Sequence, residues 1–473
     1  MQLVKLITPK RIKTLHCFFL TVLFLSLAFE NSVLAQDNSP YSRFGIGDLV
    51  PATNMTNRGM GGLSAAYSDL LSINFNNPAS YFNFQTQSRP NTSKISSGRI
   101  IFDVGMNFEQ RKLDQKTPSS KFTANNALFS YAYLGMPLRK NWGMAFGLRP
   151  VSRISYKIFR NERLYDPNTG LPIDSATTRF EGDGGSYLAN LGTGFTVFKK
   201  AKNGLEENLS IGINTGYYFG KKDYASKRTL VNDTVEYFQA NYQTKTSFGN
   251  LWYNVGFQYR NPITKRYLLS IGAYGTLGQD MNARQDKVRE TFYYDQTLGD
   301  LRLDSVSEVK DVKGKITMPA TYTGGIVLQK LPASSKEGSW LIGVDLNVQN
   351  WDNFRVYGAK DSVHNNWQLR IGGQVSPAPG KGYFSNVAYR AGVFFGPDYI
   401  SVGNKLPVFG ISTGMYLPIK NQNRLTPYQA SVINLGFEYI RRGNNNNLVR
   451  ENLFRLSLGF SLSDFWFIKR RYD

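Results

Sequence analysis

The segment Leu209–Phe219, with the sequence LSIGINTGYYF, alternates between two kinds of side chain. Its odd positions carry Leu, Ile, Ile, Thr, Tyr and Phe, whereas the even positions are small or polar except for Tyr218. A period of two residues is typical of a β-strand whose two faces meet different surroundings. The run is about twice as long as the mean strand of a soluble protein, roughly 5–6 residues, and could cross a bilayer as a tilted strand.

The same alternation recurs through most of the chain. It is clear in Trp340–Val348, Val387–Phe395, Ile433–Tyr439 and Phe454–Leu462. The complete pattern predicts about fourteen strands, near residues 100–110, 121–137, 142–157, 180–198, 208–221, 248–260, 266–279, 314–329, 339–352, 366–376, 386–396, 408–418, 430–441 and 450–468. A soluble β-sandwich or propeller would share the period, but strands of this length favour a membrane barrel.

The connections between these strands differ in length in a regular way. Short turns, such as Leu138–Asn141 and Asn261–Lys265, alternate with longer polar segments near Ile158–Arg179, Lys222–Phe248 and Gln279–Lys313. Short periplasmic turns opposite longer extracellular loops are the outer-membrane pattern. The predicted fold class is therefore all-β, a transmembrane antiparallel β-barrel of about 14 strands with an N-terminal plug (hatch). The even count predicts that both chain ends lie in the periplasm.

The first residues predict export. Four basic residues between Lys5 and Lys13 precede an apolar run, Phe18–Phe29, and Val33-Leu34-Ala35 is a typical cleavage site. This order is that of a secretory signal peptide, so residues 1–35 are predicted to be removed and the barrel to lie in the outer membrane. The formal charge of +22 falls to about +19 without this segment.

Removal of the signal peptide also limits the chemistry that is available. The only cysteine is lost, and His364 is the one remaining histidine. His364 lies in a predicted extracellular loop, where a solvated histidine is the simpler interpretation than a catalytic base. Cysteine nucleophiles and zinc sites are excluded, and the acidic residues lack the spacing of a calcium loop. The prediction is therefore no enzyme, no cofactor and no metal site.

Residues 36–99 differ from the strands that follow, and residues 100–473 are predicted to form the barrel. The N-terminal segment contains Arg58-Gly59-Met60-Gly61-Gly62 and, further on, Asn77-Pro78-Ala79. Glycine permits close backbone approach and proline fixes turns, so a compact plug inside the lumen is expected. The alternative is a disordered periplasmic tail, but apolar residues such as Phe44, Met60 and Phe75 argue against it.

These motifs resemble the hatch of FadL-type outer-membrane transporters of hydrophobic compounds. The stretches Ile316–Tyr322 and Asp345–Arg355 are also similar to that family. The resemblance implies a fourteen-stranded barrel in which Asn77, Pro78 and Ala79 form the plug motif, with Arg58, Gly59, Gly61 and Gly62 in its glycine-rich part. It also implies uptake of hydrophobic or amphipathic molecules with lateral release into the membrane. The alternative function is a non-transporting barrel that acts as a scaffold or partner subunit in outer-membrane protein secretion or assembly.

Basic residues are concentrated at the predicted periplasmic end. The turns and the C-terminal tail contain Arg139, Lys140, Lys199, Lys200, Lys265, Arg266, Lys469, Arg470 and Arg471. A basic rim would meet anionic lipid headgroups or an acidic protein partner, although a merely solvated rim is the alternative. The expected partners are thus outer-membrane lipid, a hydrophobic small-molecule cargo and an envelope protein. Nucleic acid is not expected, because it is absent from this compartment.

Overall fold

The computed structural model describes residues 39–88, 95–116, 119–231, 238–295, 297–419 and 429–466. The described residues belong to one compact unit. The predicted signal peptide and the basic residues Lys469, Arg470 and Arg471 lie outside the described residues.

Most of the described residues are in β-strands. One short α-helix, α1, spans Met55–Arg58, and 3-10 helices span Pro40–Arg43, Pro78–Asn83, Trp351–Asn353 and Phe384–Asn386. The strands are β1 (Asp48–Leu49), β2 (Thr86–Ser88), β3 (Ile95–Gln115), β4 (Ser120–Arg139), β5 (Trp142–Tyr165), β6 (Pro172–Lys202), β7 (Leu205–Val231), β8 (Gln239–Pro262), β9 (Tyr267–Thr276), β10 (Gln279–Asp295), β11 (Gly299–Met318), β12 (Thr321–Lys330), β13 (Ser339–Gln349), β14 (Arg355–Val356), β15 (Asn366–Ser376), β16 (Ala388–Val402), β17 (Asn404–Ile419), β18 (Ala430–Arg442) and β19 (Val449–Trp466).

The long strands close into an antiparallel barrel. Each pairs with its neighbours, and β19 pairs with β3 from Val449–Gln115 to Trp466–Gly98. β9 and β10 are two halves of one barrel strand, and β11 and β12 are two halves of the next. With the short β1, β2 and β14 set aside, fourteen strands form the wall, as the sequence predicted. Closure leaves no sheet edge in the hydrocarbon region of the membrane, where an unpaired backbone group is costly.

The two faces of the wall are reversed relative to a soluble protein. On β7, Ile211 and Ile213 face outward and are 40% and 47% exposed, whereas the intervening Gly212 faces the hatch and Ser210 and Asn214 are fully buried in the lumen. The apolar residues Ile342, Val344, Leu346 and Val348 of β13 are likewise exposed. Apolar groups outside and polar groups inside are stable only in lipid, which places this barrel in the outer membrane.

The prediction of three long extracellular loops is wrong. The segments 158–179, 222–248 and 279–313 are mostly strand, because β5–β6, β7–β8 and β10–β11 continue as paired hairpins beyond the membrane. Above the bilayer both faces of such a hairpin meet water, so no apolar alternation marks it in the sequence. Backbone pairing does not require that alternation.

The hatch, defined here as residues 39–88, runs through the lumen from one end to the other. Tyr41 donates a hydrogen bond to the carbonyl of Val449 at 2.7 Å, at the extracellular end of the wall, and β2 pairs with β3 at the periplasmic end. The expectation of a periplasmic start is therefore wrong for the first described residues. Trp351 is buried inside the extracellular mouth, where it packs against Phe354 and Tyr399. No helix in the described ranges is long and apolar enough to cross a membrane.

Candidate functional site

The plug motif rests against a row of glycines in the wall. Gly194, Gly212 and Gly256 stand opposite one another on β6, β7 and β8. A β-carbon at Gly194 would lie 2.1 Å from the carbonyl oxygen of Pro78, and one at Gly212 would lie 2.4 Å from the carbonyl carbon of the same residue. Any larger residue would therefore displace the hatch backbone.

Asn77 fixes the motif by hydrogen bonds. Its side-chain amide donates to the carbonyl of Ala65 at 2.6 Å within the hatch and to that of Phe257 in the wall at 3.1 Å. The side-chain oxygen Oδ1 of Asn77 accepts a hydrogen bond from the backbone N–H of Ala79 and so caps the start of the 3-10 helix whose first residue is Pro78. Asn77, Pro78 and Ala79 are all buried. Proline is suited to this position because its φ is already fixed and no helical N–H is lost.

The glycine-rich part of the hatch has a second seat. Gly61 and Gly62 have positive φ angles of 71° and 90°, which turn the chain after α1. Across from them, a β-carbon at either Gly372 or Gly392, which are paired on β15 and β16, would lie 2.2 Å from the hatch backbone. Gly61 also donates its N–H to Ser412 in the wall at 2.8 Å. Gly59 lies beside Gly414 of the wall.

Arg58 joins α1 to three strands. Its guanidinium donates to Asn107 on β3 at 2.6 Å, to Ser457 on β19 at 3.3 Å and to Ser130 on β4 at 3.2 Å. It also donates to the backbone carbonyls of Pro51 and Thr53 within the hatch. Burial lowers the pKa of Arg58 to about 10, so the side chain remains charged at neutral pH.

A buried ion cluster holds the hatch near the extracellular mouth. Asp48 on β1 lies 2.9 Å from Arg111 and 2.8 Å from Arg442, and Glu451 contacts the same two arginines. Arg442 also pairs with Asp398. Burial would raise the pKa of Asp48, but the two guanidinium groups outweigh it and hold that pKa below its ordinary value. A second cluster, in which Arg455 pairs with two wall carboxylates, lies deeper in the lumen.

Little space is left around the hatch. One lumenal cavity of about 260 Å³ is bounded by the charged groups of the ion cluster, including Asp48 and Arg442. A second, of about 180 Å³, has a more apolar wall that includes Leu49, Val151 and Trp252. Both are smaller than the roughly 300–1,000 Å³ of typical small-molecule sites.

The wall is incomplete between β4 and β5. These strands pair only from Ala132–Leu148 down to Arg139–Trp142, and they separate towards the extracellular end. Pro150 lies where the strands part, and it has no N–H to donate to a ladder. Above it the hatch strand β1 pairs with β5 instead, with Asp48 opposite Arg153. We call this separation the seam.

The structure brings the residues of the predicted hatch motifs together at these two seats. All seven motif residues lie in the two regions where the hatch meets wall glycines. The seam and the ion clusters were not predicted. One signal was present, because strands β3, β18 and β19 carry charged residues at alternate, inward-facing positions, such as Glu109, Glu438 and Arg455.

Comparison with known proteins gives the family. The chain matches the BamG family over residues 12–473. It belongs to the BamG family. No curated protein matches it.

Two solved structures resemble this member of the BamG family. A FadL homologue from Pseudomonas aeruginosa has 12% identity and a TM-score of 0.51, and the match covers 89% of this chain and 100% of that one. The toluene transporter TbuX from Ralstonia pickettii has 13% identity and a TM-score of 0.47, with 87% and 98% covered. At this identity the likeness to the FadL homologue concerns the fold, and the FadL-type barrel that the motifs predicted is confirmed.

The remaining predicted site residues of the BamG-family chain lie apart from the lumen. Six basic rim residues, all exposed, are at the periplasmic end: Arg139, Lys140, Lys199, Lys200, Lys265 and Arg266. Lys199 pairs with Glu206, and Arg266 lies 3.9 Å from Glu337. His364 is in an extracellular connection, half-exposed and 3.7 Å from Asp352. No group of three or more metal-binding side chains occurs within the described ranges.

Proposed function

We propose that this barrel is a non-transporting scaffold, a partner subunit for other envelope proteins in outer-membrane protein secretion or assembly. The observation that carries the proposal is the filled lumen. The hatch backbone touches wall glycines at two levels, buried hydrogen bonds to neutral wall side chains hold Arg58, and buried ion pairs hold Asp48. Passage of a solute would require these contacts to break together. A rigid filled barrel instead offers its two rims to partners.

The basic periplasmic rim supports docking of an acidic protein. Lys140 and Lys265 are exposed in two turns of one rim, and Lys200 is exposed near the end of β6 at the same rim. Clustered charge of one sign attracts an oppositely charged surface and accelerates association, and the effect weakens as salt is raised. Docking through this rim should therefore be salt-sensitive.

The test is co-purification from the outer membrane in mild detergent. We expect envelope proteins to accompany the barrel in fixed ratio, and the triple change of Lys140, Lys200 and Lys265 to Glu to reduce their recovery about tenfold, as a loss of about 1.4 kcal/mol requires. The matched control reverses Lys121, Lys360 and Lys405, which are exposed at the opposite end of the barrel. Equal recovery from both triple variants would contradict docking at the periplasmic rim.

Uptake of hydrophobic molecules with lateral release is the second candidate function. The position of the seam favours uptake, because the seam lies beside the second cavity. Leu49 and Val151 lie at the seam and also line that cavity. The volume of about 180 Å³ suits a single-ring compound better than a long acyl chain, and Arg149 and Arg370 add charged groups to the lining. Recovery of the barrel with bound hydrocarbon or lipid, and without protein, would favour uptake over scaffolding.

A further inference from the structure

The hatch occupies only the lower part of the free edge of β5. Along the seam, one edge of β5 pairs with β6, and its other edge faces the gap that separates it from β4. Val50 donates its N–H to the carbonyl of Val151 at 2.9 Å, and Asp48 stands opposite Arg153. The Ser42 hydroxyl then bonds both the N–H and the carbonyl of Ser155. Three alternate positions of this edge are therefore covered by the hatch.

The next positions of the same edge are open. In an antiparallel strand, alternate residues direct their N–H and C=O to the same side. The register between β5 and β6 is regular from Ser152 to Arg163, so the backbones of Lys157, Phe159, Asn161 and Arg163 point in the same direction as that of Ser155. Among the described residues none of these four backbones has a partner on that side. Phe159 is 60% exposed.

We propose that the β5 edge from Lys157 to Arg163 accepts an extended segment of another polypeptide by strand addition. A row of free N–H and C=O groups recognises another backbone, which is how strand-adding domains bind peptides. The site is continuous with β1, since the hatch already forms the first rungs of the same ladder. The divergence of β4 leaves room beside it.

The side chains of this edge indicate the character of the segment. Residues 154–165 contain Lys157, Arg160 and Arg163 against a single acid, Glu162. Arg160 is two-thirds exposed, although it lies 3.1 Å from Glu162. An acidic extended segment therefore fits best. The inference rests on the proposed scaffold function and names one of its docking sites.

Photo-crosslinking in intact cells tests the proposal. The benzophenone amino acid p-benzoylphenylalanine is placed singly at residues 157, 159, 161 and 163, and adducts are mapped by mass spectrometry. Strand addition predicts that a two-residue step along β5 moves the adduct by two residues along one partner segment. Adducts with lipid, with a second copy of this chain, or with scattered proteins in no register would overturn it.

Matched variants separate backbone pairing from side-chain contact. With the probe at residue 161, Phe159→Pro removes an edge N–H and keeps the bonds to β6, and we expect about a tenfold lower adduct yield. Phe159→Ala removes the same side chain but keeps the N–H, so its yield should match that of the unmodified edge. Equal yields from the two variants would overturn the proposal. If envelope proteins still co-purify in that case, the scaffold function stands without this site. If none co-purifies with the wild-type barrel, both fail.

Discussion

Gly212→Leu is expected to unseat the hatch while the wall remains folded. A β-carbon at this position would meet the carbonyl carbon of Pro78 at 2.4 Å and the nitrogen of Ala79 at 2.6 Å, and neither backbone atom can move alone. Overpacking of this kind costs about 3 kcal/mol, a shift of roughly 100-fold in the docking equilibrium. Trypsin should therefore cut the folded variant after Arg58, which is buried in the wild-type barrel.

The control for this experiment is Gly324→Leu. Gly324 lies on β12 with nothing within 4 Å of its β-carbon position, so leucine there should leave the hatch protected. Retention of the heat-modifiable folded band by both variants on a gel shows that the wall is intact. Equal resistance of Arg58 to trypsin in the two variants would mean that the glycine row does not seat the hatch.

Arg442→Ala is expected to destabilise the protein by about 3–5 kcal/mol, because it removes the arginine that pairs with Asp398 and leaves Asp48 and Glu451 with Arg111 as their arginine contact. Removing one partner of a buried pair leaves the charge of the other partner uncompensated. Urea unfolding of the barrel in lipid vesicles measures the difference.

An exposed ion pair provides the comparison. Arg284 lies 3.0 Å from Asp311 on the β10–β11 hairpin, and the side chains are 65% and 53% exposed. Because water screens such a pair, Arg284→Ala should cost less than about 1 kcal/mol. A similar small cost for Arg442→Ala would show that the lumenal cluster contributes little to holding the hatch.

The alternation of Leu209–Phe219 was sufficient to predict the barrel, because a bilayer imposes the same two-faced pattern on every strand that crosses it. The pattern ends where the membrane ends. The outer part of β7 and most of β11 therefore looked like loops, although their backbones pair with β6 and β10, in β11 with three register shifts. Strand length beyond the bilayer is fixed by pairing between neighbours, which a single sequence does not display.

Short motifs led to the prediction of a hatch, but they did not indicate its contacts with the wall. Asp48 and Arg442 are almost four hundred residues apart in the chain, and they meet because the described part of the hatch begins at the extracellular mouth. Pro150 could have indicated the seam, since proline interrupts a strand ladder. The strand that replaces β4 beside it, Asp48–Leu49, is too short to show any periodicity.

Hydrogen–deuterium exchange of the wild-type barrel in lipid nanodiscs tests the central claim, that the hatch is a permanent part of the packed lumen. The claim predicts that amides of Asn54–Gly62 and Pro78–Asn83 exchange as slowly as those in the membrane part of β7. Exchange of these hatch amides within seconds, with the wall still protected, would contradict it and indicate a plug that opens.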